Sequence, residues 1–410
     1  MNKRRSIWLS LSLVNLCLVA FFGFTLRSKI LFSLPFVDFR SVESAHSHFA
    51  FAGWVGLSLM TLFVYDLLPE SLSRKPIYQW LLAGVETSSL GMALLFPFIG
   101  YTVATIAFSS LYVLVVLIFV PVFIKDILSS PTNKNIKLLS SSALLSLVLS
   151  FLGTLGLTFI IVTKSGASLL YRDSIYTFLH FQYNGFFSLS VFALFFNFLL
   201  KKNIALFQNE KWFSVLLCLS IIPSLFCALL WHNQSLFYLL AIVGGLLIVI
   251  SLFFYARIFR SLLKEHLFNY KISTVFWIFS SVSFILKSLL QVGTIFPDLG
   301  NAVYGDRPVI IGFLHLVFLG FITFYILSSL IESEFFTRKA RVISVPLIVF
   351  AAGIIANELL LMLQGLGILF KTNNEIYKWL LWAASILLFT GAFMIAVSRL
   401  VVIKTQTKKP

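Results

Sequence analysis

Residues 235–256 read SLFYLLAIVGGLLIVISLFFYA, an uncharged run long enough to cross the hydrocarbon core of a bilayer as one helix. A backbone amide or carbonyl without a partner in hydrocarbon costs several kcal/mol, so such a run must be helical. The same pattern recurs along the chain. It predicts twelve transmembrane helices, near residues 7–25, 45–68, 77–99, 101–124, 138–162, 174–200, 211–231, 235–256, 272–291, 308–331, 342–364 and 378–402.

The composition of the whole chain agrees with this prediction. Of the 410 residues, 59% are hydrophobic and 11% are charged, which is too apolar for a soluble domain whose entire surface must be hydrated. No linker, low-complexity tract or soluble domain separates the apolar runs. Residues 1–410 are therefore predicted to form a single all-α transmembrane domain in a lipid bilayer.

The basic residues indicate how the helices are oriented. The formal net charge is +16, but Lys and Arg lie in the connections between apolar runs rather than on one amphipathic face, which argues against a nucleic-acid partner. Every second connection is rich in Lys and Arg. By the positive-inside rule, this pattern predicts that both termini are cytoplasmic, in a bacterial-type inner (plasma) membrane.

Once the orientation is set, each histidine has a predicted depth. Five histidines fall in the outer part of the membrane, on the second, sixth, seventh and tenth spans: His46, His48, His180, His232 and His315. Only His266 lies in a cytoplasmic connection. An ionisable side chain inside a bilayer is costly and usually faces the bundle interior or water, so a one-sided group predicts a functional site.

Each imidazole alone could simply bond to a neighbouring helix, but the set favours metal ligation. Two histidines on opposing helices can hold a six-coordinate haem, and neutral imidazole is also a common copper ligand. The sequence has no CxxCH motif, which argues against covalent haem attachment. His46 and His48 are two residues apart on one helix and cannot both face one haem. The deeper residue, His48, is the preferred ligand.

The number of spans and the outer histidines resemble the haem–copper oxidase subunit I superfamily over most of the chain. In that family, a histidine of the second span and the second histidine of a pair in the tenth span hold a low-spin haem. The run His315-Leu316-Val317-Phe318-Leu319-Gly320 is similar to the sequence after that second histidine. The resemblance implies that His48, or alternatively His46, and His315 are the axial ligands of a haem b, with redox partner subunits supplying or receiving electrons.

The resemblance also implies that the catalytic half of the site is incomplete. Phe313 stands where the family has the high-spin haem ligand. His180 and His232 are similar in position to copper ligands, but Asn233 replaces the second histidine that ends the seventh span, and an amide oxygen is a poorer copper ligand than imidazole. Oxygen reduction is therefore not assigned. The chain also resembles the NnrS group of membrane haem–copper proteins linked with nitric oxide response, and both resemblances stay open.

Two other classes of function compete with a haem protein. Glu86, Lys287 and Glu358 are further ionisable residues within spans, and twelve helices with such residues are a common format of secondary transporters. Glycine pairs and prolines are too few to mark matched broken helices, and the histidines lie away from the midplane where transporters bind substrate. A non-catalytic assembly subunit without haem is the third alternative. The favoured interpretation is a membrane haem protein with a role in electron transfer or in nitric oxide or oxygen handling.

Overall fold

The computed structural model describes residues 2–204, 207–265, 267–297, 299–300, 306–336, 340–370, 372 and 374–406. Within these ranges the chain is helical without strands, and twelve helices are long and apolar enough to cross a membrane, which confirms the predicted fold class. His266 lies outside the described residues. The twelve helices, numbered in chain order, are α1 (Lys3–Leu31), α2 (Phe39–Leu67), α3 (Pro76–Ile99), α4 (Val103–Ser129), α5 (Lys134–Thr163), α6 (Ser168–Lys201), α7 (Gln208–Ala228), α8 (Ser235–Leu262), α9 (Lys271–Gly293), α10 (Arg307–Glu332), α11 (Ile343–Gly367) and α12 (Ile376–Val401).

Several helices extend beyond the predicted spans. The predicted first span covers 7–25, whereas α1 begins at Lys3 and ends at Leu31. The side chain of Asn2 caps its start by accepting the backbone N–H of Arg4 at 3.0 Å. The apolar run that predicts a span ends where charged residues begin at the membrane surface. The helix continues past that point, because backbone hydrogen bonds do not depend on side-chain polarity.

The helices α2 and α6 form the centre of the bundle. In their most apolar segments 78% and 89% of residues are buried, against 22% in α4 at the periphery. Large apolar side chains such as Leu246, Phe253 and Ile348 are more than half exposed on the outer helices. An exterior of this kind suits contact with lipid chains rather than water.

Three helices that carry candidate histidines change to π-helical geometry. In α2 the π-helical turns cover Ala50–Gly56 and Phe63–Leu67, in α6 they cover Phe181–Phe187, and in α10 they cover Leu316–Thr323. The segments in α6 and α10 begin immediately after His180 and His315. Each π-helical turn changes the rotational phase of the residues that follow, and such turns occur frequently at functional sites.

A buried arginine ties the two ends of the chain together. Arg399 of α12 is 1% exposed and donates to the Ser10 hydroxyl at 3.0 Å, the Phe335 carbonyl at 2.6 Å and the Ser6 hydroxyl. The start of α1 and the end of α12 therefore lie at the same face of the bundle. Arg5 and Asp66 form a two-bond ion pair of 2.8 and 2.9 Å between α1 and the end of α2 at this face.

Replacing Arg399 with Met is expected to lower the free energy of unfolding by about 3 kcal/mol, because hydrogen bonds to a charged group stabilise by about 1.5–3 kcal/mol each and their partners would stay buried. Thermal unfolding of the detergent-solubilised protein, followed by tryptophan fluorescence, measures the change. Arg257→Met is the matched control, since Arg257 is exposed on the outer surface of α8. Equal losses in the two variants would contradict the assigned role of Arg399.

Candidate functional site

His46 of α2 and His315 of α10 are brought together at one end of the bundle. Their ring centroids are 6.5 Å apart, and their ring planes are inclined by only 22°. The Nδ1 atom of His46 lies 3.0 Å from the Val19 carbonyl oxygen, and that of His315 lies 2.8 Å from the Ile311 carbonyl oxygen. A carbonyl oxygen only accepts hydrogen bonds, so each Nδ1 carries the ring proton. Each Nε2 therefore keeps its lone pair for a ligand bond.

This spacing fits one metal ion held between the two rings. A metal–nitrogen bond of about 2 Å on each side, with about 1.1 Å from each nitrogen to its ring centre, places the centroids about 6 Å apart. The observed centroid separation of 6.5 Å is close to that value. Carbonyl groups bonded to the opposite ring nitrogen are the usual support of a metal-bound histidine, because they set its tautomer and orientation.

His48, the ligand preferred from the sequence, lies apart from this pair. The ring of His48 packs on Phe96 at 4.8 Å and Tyr101 at 6.2 Å between centroids, and its Nδ1 bonds to the Ser44 carbonyl at 2.8 Å. Residues two apart on a helix point about 200° apart, so one of them must turn away. Depth ranked the two histidines, but side-chain direction decides which one meets α10.

A glycine of α1 gives the His46 ring its space. A Cβ atom added at Gly23 would lie 3.2 Å from Cε1 of His46. On α2 itself, a Cβ at Gly53 would meet the Phe49 ring at 2.4 Å and one at Gly56 would meet the Phe51 carbonyl at 2.8 Å. Local sequence does not single out Gly23, since its partner lies on another helix.

Positive charge lies beside the His46–His315 pair. Arg27 is one helical turn beyond Gly23 on α1, and it interacts electrostatically with His46, His315 and Arg307. Arg307 is ion-paired with Glu43, whereas no carboxylate pairs with Arg27 within the described ranges. A half-buried guanidinium without a carboxylate favours an anionic ligand group at this position.

His180 lies in a separate polar network at the bundle centre. It is 1% exposed, its Nε2 bonds to the Ile221 carbonyl at 2.7 Å, and its Nδ1 accepts from Asn184 at 3.1 Å. The Asn184 oxygen in turn accepts from the Lys287 ammonium at 2.7 Å, and Ser188 accepts from the same ammonium at 3.2 Å. Both ring nitrogens of His180 are thus bonded to protein groups, and a buried cation lies next to the ring.

His232 lies further out and pairs with an acid. Its Nε2 is 3.0 and 2.9 Å from the two carboxylate oxygens of Asp173, which also accepts from the Trp231 indole at 3.0 Å. Asp173 precedes His180 by seven residues, or about 10 Å along α6. His180 and His232 therefore have separate partners at different levels of the bundle.

These donor atoms do not fit a copper ion. Among the residues that the structure describes, no three His, Cys, Asp or Glu side chains are grouped to hold a metal ion. Asn233, the third candidate, has a left-handed backbone at φ 51° just past the short helix Leu230–His232. Phe313, at the position of the family's high-spin ligand, packs edge-on against Tyr183 at 5.5 Å. The copper site that the resemblance implied is not formed by these side chains.

The other ionisable residues within spans have partners. Glu86 accepts from Asn15 at 2.7 Å, and Asn15 also donates to the Gly53 carbonyl at 2.8 Å, so this contact joins α1, α2 and α3. Glu358 accepts from its neighbour Asn357 at 3.2 Å. These contacts are separate hydrogen bonds between neighbouring groups.

The twelve apolar helices and their lipid-facing exterior define the class, a multi-pass α-helical membrane protein. Comparison with known families found no family model that matches the chain, and comparison with curated proteins found no match.

Proposed function

We propose that the protein binds one haem b between His46 and His315 and uses it for electron transfer within the membrane. The observation that carries this function is the 6.5 Å spacing of two nearly parallel imidazoles whose Nδ1 atoms are both bonded to carbonyls. When bound, an iron with two imidazole ligands would be six-coordinate and would exchange an electron without an open position for a gas. We therefore favour electron transfer over oxygen or nitric oxide chemistry.

Several residues of the chain would orient such a haem. The carbonyls of Val19 and Ile311 hold the two rings and raise the basicity of each Nε2. Arg27 would bind a haem carboxylate at the outer side through a charge-assisted hydrogen bond. Cytoplasmic termini, a bacterial-type inner membrane and redox partner subunits belong to the same proposal, and their support is the distribution of Lys and Arg and the electron-transfer role itself.

The reduced-minus-oxidised optical spectrum and the metal content of the purified protein test this function. We expect sharp low-spin b-type bands with one iron per chain and copper far below one per chain. Haem-free protein would overturn the proposal and favour a secondary transporter or an assembly subunit. Stoichiometric copper would contradict the interpretation of His180 and His232.

A hydrogen bond deeper in the bundle sets the separation of the two histidine helices. The indole N–H of Trp54 donates to the Thr323 hydroxyl at 3.0 Å, and both side chains are buried. Each residue lies eight positions beyond the histidine on its own helix, so the bond spans α2 and α10 about 12 Å below the ring pair. Phe51 and Phe318 add an edge-on contact of 4.6 Å between the same helices.

Replacing Trp54 with Phe is therefore expected to speed haem loss severalfold while the low-spin spectrum is kept, because both ligands remain but their spacing is less constrained. The measurement is the rate of haem transfer from the purified protein to an apoprotein acceptor. Trp8→Phe is the matched control, since the Trp8 indole bonds to Gln79 at 3.2 Å and does not join α2 to α10. Similar rates for both variants would show that the Trp54–Thr323 bond does not position the ligands.

A further inference from the structure

A cavity of about 400 Å³ lies between α6, α7, α9, α10 and α11, and neither His46 nor His315 is among its lining residues, although Leu314 and Leu316 beside His315 are. Its walls are almost wholly apolar and include Leu179, Leu290, Val309, Phe313 and Met362. The volume falls within the range of small-molecule sites, which are typically apolar with a few placed polar groups. The haem proposed above does not use this cavity.

The cavity opens toward the lipid between α9 and α11. Its lining residues Leu289 and Leu290 on α9 are 52% and 48% exposed, and Leu359 and Met362 on α11 are 51% and 49% exposed. All four lie within the apolar spans rather than in the connections. A ligand would therefore enter sideways from the bilayer and would need an apolar portion that stays in the opening.

One buried polar group on the wall lacks a partner. Gln291 of α9 is 8% exposed, and its Nε2 atom has no hydrogen-bond partner within the described residues. A buried amide N–H without a partner is costly, and native proteins seldom leave one. Glu358 on α11 contributes a carboxyl group to the same cavity. Gln291 lines this cavity and also a smaller one beside Asn184 and Lys287, so its amide is the donor that an acceptor on a ligand in the larger cavity would use.

We propose that this cavity binds a lipid-soluble molecule of the quinone class, whose ring carbonyl accepts from Gln291 Nε2 and whose apolar tail leaves between α9 and α11. A fatty acid is disfavoured, because burying its carboxylate within walls of this composition costs far more than burying a neutral carbonyl. A phospholipid headgroup is too polar for walls of this composition and belongs at the membrane interface. Binding is all that is assigned, with no redox step.

Calorimetric titration of the purified full chain with decylubiquinone tests the site. The wild-type protein should bind it saturably at one site per chain. Gln291→Leu removes the donor and should weaken binding about tenfold, the ratio that corresponds to one hydrogen bond. Gln364→Leu is the matched control and should stay within about twofold, because Gln364 is a buried glutamine on α11 that does not line the cavity.

A cavity-filling variant keeps the test decisive if Gln291→Leu does not fold. A Cβ atom at Gly365, on the cavity wall, would have only Val309 Cγ2 within 4 Å, at 3.4 Å, so Gly365→Leu should place its side chain in the cavity and abolish binding. Decylbenzene, which has the tail but no carbonyl, should bind about tenfold more weakly than decylubiquinone. Absence of wild-type binding, unchanged affinity in the Gln291 or Gly365 variant, or equal binding of decylbenzene would each overturn the proposal.

Discussion

Alanine in place of either His46 or His315 is expected to abolish the low-spin haem spectrum of the purified protein, whereas His48→Ala should leave it intact. Each of the first two changes removes one of two axial ligands, and the remaining histidine cannot by itself complete a six-coordinate iron. The three variants should insert equally well, because one histidine is a small fraction of the hydrophobicity of α2 or α10. Optical spectra and haem per chain are the measurements.

Added imidazole distinguishes a missing ligand from a misfolded site. In His46→Ala the deleted ring leaves a space beside Gly23, so millimolar imidazole should restore low-spin bands. If His46→Ala lost the haem because the site misfolded, added imidazole would not restore the low-spin bands. If His48→Ala lost the haem and His46→Ala kept it, the ligand pair would be His48 and His315, and the inference from ring geometry would be wrong.

The second large effect concerns the buried cation at the bundle centre. Lys287 is 2% exposed, and its ammonium donates to the Asn184 oxygen at 2.7 Å. Asn184→Leu removes that acceptor and should lower the free energy of unfolding by about 3 kcal/mol, the upper end of the range for a hydrogen bond to a charged group. Thermal unfolding in detergent measures the loss.

Two further variants distinguish the cost of the unpartnered charge from the cost of lost packing in Asn184→Leu. Adding Lys287→Met to Asn184→Leu should recover much of the loss, because the double variant no longer buries an ammonium. Gln182→Leu should cost only about 1 kcal/mol, since Gln182 is a buried amide on the same helix that donates to the neutral Ser150 hydroxyl at 3.0 Å. Equal losses for Asn184→Leu and Gln182→Leu, with no recovery in the double variant, would contradict the role of Asn184.

The Lys287 network also explains why the His180 region differs from the metal site that the resemblance implied. A cation bonded to Asn184 stands where it would repel a metal ion held by His180. Lys287 is recognisable from the sequence as an ionisable residue within a span, but its partner is not, because Asn184 lies 103 positions earlier on another helix. Asn15, the partner of Glu86, was missed for the same reason.

Properties that depend on short stretches of the chain were determined by the sequence alone. The number of spans follows from the number of runs of about 20 consecutive apolar residues, because the backbone of every such run must be helical to satisfy its hydrogen bonds within a bilayer. Residues 235–256 predicted a helix, and α8 covers Ser235–Leu262.

Properties that depend on side-chain direction were decided by the tertiary structure. That His46 rather than His48 lies beside His315 depends on the rotation of α2 relative to α10, and His46 and His315 are 269 positions apart. The π-helical turns change rotational phase without a clear signal in the sequence, and the Trp54–Thr323 bond joins residues from two such turns. Hydrophobicity places a residue in the membrane, but only packing between helices determines which residue it meets there.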